Sequence, residues 1–220
     1  MIDNTTYTSI KQFCDSNGVT LVAVSKTKPV EDITELYQLG QRIFGENKVQ
    51  ELVEKAQQLP GDIQWHLIGH LQTNKVKQVL PHVALIHSVD SLHLLKEIEH
   101  ESAKLCQKKE ILLQIKIAVE DTKYGLNEDE LKEIIELVNE EGFPHIVLRG
   151  LMGMASFTEA EEQVKTEFAS LKVIFDQTKE QLNTPSAFDI LSMGMSGDYR
   201  LAVSEGSNMV RVGSLIFGER

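Results

Sequence analysis
A single cycle runs the length of this 220-residue chain and limits what it can fold into. A short, β-branched apolar run ends in a polar or glycine-bearing loop, and an amphipathic stretch follows. Such runs occur at Thr20–Ser25, Arg42–Phe44, Trp65–Ile68, Ala84–His87, Ile111–Ile117, Ile146–Met152, Asp189–Leu191 and Met209–Val212. Their length and composition suit buried strands. Between them apolar residues recur at helical spacing. Ile33, Leu36 and Tyr37 lie between Pro29 and Gly40, and Val49, Leu52, Val53 and Ala56 precede Pro60-Gly61. Leu131, Ile134, Ile135 and Val138 follow Asn127, which caps an acidic, solvated helix. Proline at a helix start and glycine just past its end fit capping chemistry. Further helices are predicted near Thr73–Leu80, Ser91–Gln107, Glu159–Leu182 and Asp198–Glu205. Strands that alternate with helices form a parallel sheet, and eight in succession predict a single α/β domain over residues 1–220, a (β/α)8 TIM barrel. The chain is shorter than the roughly 250 residues typical of that fold, so its loops must be tight. An open doubly wound sheet is the alternative.

Composition narrows the function. The net charge is −11, from 22 basic and 33 acidic residues, which opposes a nucleic-acid-binding face. The two cysteines, Cys14 and Cys106, make no disulfide framework and read as small apolar fillers. No apolar run nears the roughly 20 residues of a membrane span, and Met1-Ile2-Asp3-Asn4 does not begin a secretory leader. A cytoplasmic protein with neither nucleic-acid nor membrane partners is expected, and the acidic outer helices point to a monomer or weak dimer. His66 and His70 are four apart but straddle a strand end, where that spacing does not put two ligands on one face. No metal site is expected, and His66 reads as a hydrogen-bonded wall residue.

In a barrel the chemistry sits at the C-terminal strand ends. These carry Lys26, Asn47, Gly69-His70, Ser88–Asp90, Asp121–Lys123, Met152–Met154, Ser192–Ser196 and Gly213-Ser214. The loops after strands seven and eight contain Gly194, Ser196, Gly197, Gly213 and Ser214. Glycine lets backbone approach an anion, and hydroxyls and N–H groups hold a phosphate there; ordinary turn chemistry explains the same residues. Lys26 ends an apolar strand where packing does not require it. Lys28 beside it and partial desolvation would lower the Lys26 pKa and free its amine for a Schiff base; a solvated strand-end lysine is the plainer reading. A mouth lysine with a phosphate cup suits a phosphorylated aldehyde such as pyridoxal 5'-phosphate, whose ring nitrogen needs a partner. Arg211, two residues before Gly213 and on the same strand face, can reach that nitrogen, or can form a buried salt bridge instead. The methionines Met152, Met154, Met193 and Met195 are expected to pack against a bound ring; Lys75 and Lys123 could form a weak cationic rim, but a solvated surface lysine is the plainer reading of each.

Six ordered motifs carry a family resemblance: Ala23–Pro29, Phe44–Asn47, Trp65–Lys75, Arg149–Met152, Ser192–Ser196 and Met209–Gly213. Together they closely resemble the pyridoxal phosphate homeostasis protein family, which is related to the N-terminal barrel of alanine racemases. The resemblance implies a fold-type-III pyridoxal phosphate barrel, and no second β-domain is expected. It matches Lys26 to the Schiff-base lysine and Asn47 to the Gly-Glu-Asn position near the cofactor. Ser196, Gly213 and Ser214 match the phosphate cup, and Arg211 the arginine facing the pyridine nitrogen. Departures are Ser214 and Asn208, where threonine is frequent, and Arg200, where an acidic or neutral residue is common. The segment before the first strand is short, so an abbreviated first helix is expected.

The ring partner bears on turnover. A permanently protonated arginine keeps the pyridine nitrogen unprotonated and weakens the cofactor as an electron sink. The resemblance implies an intracellular cofactor carrier or buffer with no catalytic residues, and apo-enzymes that need the cofactor as its recipients. A small racemase is the alternative; none of the four tyrosines, Tyr7, Tyr37, Tyr124 and Tyr199, sits in a segment matching the racemase base, although Tyr124 and Tyr199 lie in mouth loops where one could replace it. A phosphosugar aldolase or isomerase using Lys26 or Lys123 is the third.

Overall fold
The computed structural model describes residues 2–118, 124–140 and 142–218. The strands are β1 (Thr20–Val24), β2 (Ile43–Glu46), β3 (Gln64–Leu67), β4 (Val83–Val89), β5 (Lys109–Ile115), β6 (Ile146–Gly153), β7 (Ile190–Ser192) and β8 (Met209–Val212). They pair in chain order and close, with β1 against β8 through Thr20↔Met209 to Ala23↔Val212. This closure, parallel throughout, rules out the open sheet. The helices are α1 (Asn4–Ser16), α2 (Val30–Gln38), α3 (Val49–Gln58), α4 (Val76–Val79), α5 (Leu92–Leu105), α6 (Glu128–Glu140), α7 (Glu161–Gln181), α8 (Tyr199–Ser204) and α9 (Ser214–Phe217). No helix among the described residues is long and apolar enough to cross a membrane.

The period-2 pattern of the strands sorts two cores. On β1, Leu21 and Ala23 join a large outer cluster with Phe44, Trp65, Phe168 and Val210. Val22 points into the barrel with Leu85, Leu112, Met152 and Met209. The β6–β7 contact depends on glycine. Gly150 sits at φ +151, and a Cβ there would lie 1.8 Å from Ile190 O; only a residue without a side chain allows that approach.

Four expectations need correction. The first helix is not curtailed: α1 has 13 residues, capped by the Asp3 side chain accepting from Thr6 N–H, with Tyr7, Ile10 and Cys14 buried at helical spacing. The stretch from Thr73 to Leu80 is a 3-10 turn over Thr73–Lys75 followed by the single turn of α4. Cys106 is not a filler. It is exposed, at φ 52 in the left-handed region, where it ends α5; Cys14 is buried. Strand β2 also runs on through Gly45 and Glu46, which places Asn47 directly at its end.

Candidate functional site
Lys26 lies on the turn that leaves β1, and the backbone on either side of it is clamped from below. Thr27 adopts φ 64, a conformation costly for a β-branched residue. Its N–H donates to Glu51 Oε1 at 2.5 Å. Lys55 Nζ donates to that same oxygen (2.7 Å), to Glu46 Oε1 (2.8 Å) and to Ser25 O (2.8 Å). Ser25 Oγ adds a 2.5 Å bond to Glu46 Oε1. Glu46 is fully buried and Lys55 nearly so. Burial pushes the Glu46 carboxyl above the usual range, and the Lys55 charge with the Lys55 and Ser25 hydrogen bonds pulls it back. One buried cation therefore ties together the end of β2, the first turns of α3 and the Lys26 loop.

Arg211 occupies an inward position of β8 and is buried. Its Nη1 donates to Ser192 O (2.9 Å) and Ser192 Oγ (2.6 Å), and its Nη2 to Gly153 O (2.9 Å). The expected alternative, a buried salt bridge, is not formed among the described residues; neutral oxygens hold the cation. Burial lowers its pKa to about 10, with Asp198 opposing the shift, so it stays charged at neutral pH. A guanidinium has five N–H donors. Three are committed here, leaving Nε–H and one Nη2–H.

The loops after β7 and β8 meet through Gly213 N–H, which donates to Ser196 Oγ at 3.2 Å. The Gly213 backbone packs tightly on β1, because a Cβ there would come within 3.0 Å of Val24 O, whereas Gly197 opens on free space. Asp198 Oδ1 pins the loop by accepting Met195 N–H at 2.5 Å.

These parts surround one cavity of about 420 Å3 at the barrel mouth. All six expected site residues line it: Lys26, Asn47, Ser196, Arg211, Gly213 and Ser214. Its apolar wall includes Val24, Ile68, Met154 and Met195, with Phe157 (95% exposed) at the rim. Among the described residues, no carboxylate, histidine or tyrosine lines it. Lys26 and Arg211 thus face a pocket with no acid among its described lining residues, in a protein of net charge −11. Asn47 Oδ1 is buried and has no hydrogen-bond partner among the described residues.

Other expected participants lie elsewhere. Lys28 Nζ donates to Phe217 O and Gly218 O at 2.9 and 3.1 Å, so its charge caps the end of α9 instead of facing the cavity. Met152 fills the barrel interior and Met193 faces the outer core, leaving Met154 and Met195 at the mouth. Tyr199 is buried edge-on against Phe13, and Arg200 stacks over the same ring. Tyr124 is exposed and stacks on His70, whose Nδ1 is 2.9 Å from Asp90. Lys75 lies in the 3-10 turn and does not line the cavity. Asp121, Thr122 and Lys123 fall outside the described residues. His66 is the hydrogen-bonded wall residue expected, its Nδ1 2.9 Å from His87 Nε2. Sequence reasoning missed the Ser25–Glu46–Glu51–Lys55 clamp. The one signal for it was Glu51 and Lys55 at i,i+4 on a predicted helix.

A parallel barrel with a mouth lysine just after β1 and a buried arginine on β8 belongs to a recognisable class. The family model described as alanine racemase, N-terminal domain matches residues 5–220. The alanine racemase from Bartonella henselae superposes with a TM-score of 0.71 at 17% identity, over 97% of this chain and 59% of that one, a likeness of fold. A pyridoxal phosphate homeostasis protein from Aquifex aeolicus is 40% identical over 205 residues, 93% of this chain and 88% of that one. Its human counterpart is 39% identical, over 91% and 76%. PipY of Synechococcus elongatus, solved without PLP, superposes at TM-score 0.90 with 33% identity, over 97% and 99%. The same protein with PLP bound gives 0.81 at 35% identity, over 91% and 93%. The chain belongs to the pyridoxal phosphate homeostasis protein family.

Proposed function
We propose that this chain binds pyridoxal 5'-phosphate covalently at Lys26 in the mouth cavity and serves cofactor homeostasis without turnover. The observation that carries the reading is the composition of that cavity among the described residues: one amine, one guanidinium with two N–H groups left, two serine hydroxyls and no carboxylate. A phosphorylated pyridine aldehyde needs those groups. Lys26 supplies the amine that condenses with the aldehyde, releasing water. Arg211 offers donors to the ring nitrogen, and Ser196, Ser214 and the Gly197 backbone receive the phosphate, with Gly213 N–H holding the Ser196 hydroxyl in place. Asn47 lines the same wall, where its side-chain amide can meet the ring hydroxyl. When bound, the cofactor supplies an electrophilic carbon and a conjugated ring that can delocalise a carbanion.

The absence of turnover is supported by the same wall. Racemisation needs a proton acceptor and donor on opposite faces of the substrate carbon. Among the described lining residues Lys26 is the one group able to act so, and Tyr199 is packed away. PipY, solved with PLP bound, and the relatives' names support the cofactor and the homeostasis role.

The test is the visible spectrum after adding pyridoxal phosphate, followed by borohydride reduction and peptide mapping. A yellow protein whose adduct maps to Lys26, absent in Lys26→Ala, is expected. Failure to take up the cofactor, or an adduct elsewhere, overturns the site. Catalytic entry of solvent deuterium at the α-carbon of any added amino acid overturns the carrier role.

A further inference from the structure
Arg211 is a buried cation held by neutral oxygens, so its orientation depends on how firmly those oxygens are themselves fixed. Ser192 Oγ accepts from Arg211 Nη1, and the hydroxyl's own hydrogen must then find an acceptor. His87 Nδ1 stands 3.1 Å away. A neutral histidine that accepts at Nδ1 carries its proton on Nε2. That nitrogen lies 2.9 Å from His66 Nδ1, so His66 accepts in turn and carries its proton on Nε2.

His66 also lines a second cavity of about 330 Å3. Thr20, Ile43, Gln64, Ile190 and Met209 around it are the first residues of β1, β2, β3, β7 and β8. It therefore opens at the N-terminal end of the barrel, opposite the mouth. One chain of hydrogen bonds crosses the interior from β8 through β7 and β4 to β3, every donor pointing away from Arg211. The reverse polarity leaves the Ser192 hydrogen buried without an acceptor, which is costly. All four residues are buried. Burial holds both histidines neutral, His66 down to about 3 and His87 well below its ordinary range, with the neighbouring Arg211 adding to the effect on His87.

We infer that Ser192, His87 and His66 are positioning residues for Arg211: their one-way chain orients the Ser192 hydroxyl that accepts one Nη1–H and, with the Ser192 and Gly153 carbonyls holding two more N–H groups, aims the remaining Nε–H and Nη2–H at the ligand ring. The inference rests on the pyridoxal phosphate reading above, and its first test does not need the cofactor.

In protein without cofactor, nitrogen-15 NMR of the histidine rings at pH 7 should find both His66 and His87 neutral and protonated on Nε2. A proton on His87 Nδ1, or a charged ring, overturns the chain. In a cofactor titration, Ser192→Ala and His87→Phe should weaken binding about tenfold and move the absorption maximum of the bound cofactor. Ser192→Thr and His87→Asn, which keep a hydroxyl and an acceptor, should restore both. A lowered Tm with affinity and maximum unmoved marks a merely structural role and overturns the inference. Failure of the wild-type protein to bind overturns the cofactor reading itself. Binding by wild type with unmoved variants overturns the positioning role alone.

Discussion

Replacing Lys55 by methionine removes the one cation in the clamp beneath Lys26 while keeping the length of the side chain. Three donated bonds are lost, to Ser25 O, Glu46 Oε1 and Glu51 Oε1. Glu46, fully buried, is left with Ser25 Oγ as its hydrogen-bond donor. Breaking a buried ion pair from one side costs about 3–5 kcal/mol, because the surviving charge is stranded. For a chain of this size that is roughly a 10 °C fall in Tm. The sign with pH is fixed. Burial already raises the Glu46 pKa, and without Lys55 nothing cationic pulls it back. The folded variant then holds a proton that the unfolded chain releases above its ordinary carboxyl pKa of about 4.3. Stability from that proton is full below this value and is lost as pH rises through the folded pKa. The deficit against wild type should therefore be larger at pH 8 than at pH 5. Denaturant unfolding at both pH values measures it, and Lys55→Met with Glu46→Gln, which removes both charges, should recover most of the loss. A single-variant deficit under about 1 kcal/mol at pH 8, or one that shrinks as pH rises, refutes the reasoning.

Gly69→Ala would set a Cβ 2.3 Å from Asn47 O and 2.8 Å from its Cα. The Asn47 backbone must shift, and cofactor affinity should fall at least about tenfold, equivalent to about 1.4 kcal/mol; a titration with unchanged affinity would remove Asn47 from the site. Of the two thiols, Cys106 is exposed, while Cys14 is buried with its pKa pushed up to about 11, chiefly by burial. A thiol reagent at pH 8 should titrate one group in the native protein and two in denaturant, and rapid native labelling of Cys14 would contradict its packing. His66 has its pKa lowered by burial to about 3 from an ordinary 6.5. The unfolded chain binds its proton first, so this contribution to stability is present above about pH 6.5 and is lost as pH falls, by roughly 2 kcal/mol at pH 5. His66→Gln should lose correspondingly less between pH 8 and pH 5, and equal losses would show that the ring is not held neutral.

The eight-fold alternation of strands and helices, and the residues at the strand ends, were legible in the chain because both are local. Strand length, β-branching and caps act within a few residues of one another, and Met209–Val212 falls where the apolar run places it. That Lys26, Asn47, Ser196, Arg211, Gly213 and Ser214 lie at the mouth follows from the same logic, since each sits in or just after a strand; the roles assigned to them rest on the family resemblance. Helix α1 was legible in principle, but its buried Tyr7, Ile10 and Cys14 are spread thinly among polar residues.

What the chain alone did not determine was which face each strand turns inward and what it meets there. A period of two separates Met152 from Leu151 without saying which lies inside, and it cannot say that Met193 looks outward while Ser192 meets Arg211 and His87. Those partners come from β4, β7 and β8, far apart in sequence. Glu46 and Lys55 look like ordinary surface charges on paper. They are buried because closing the barrel drives α3 onto the end of β2, where each charge becomes the other's solvent. A charge alone would be expelled from that interior; a charge met by its counterpart from another element stays, and that meeting exists only in three dimensions.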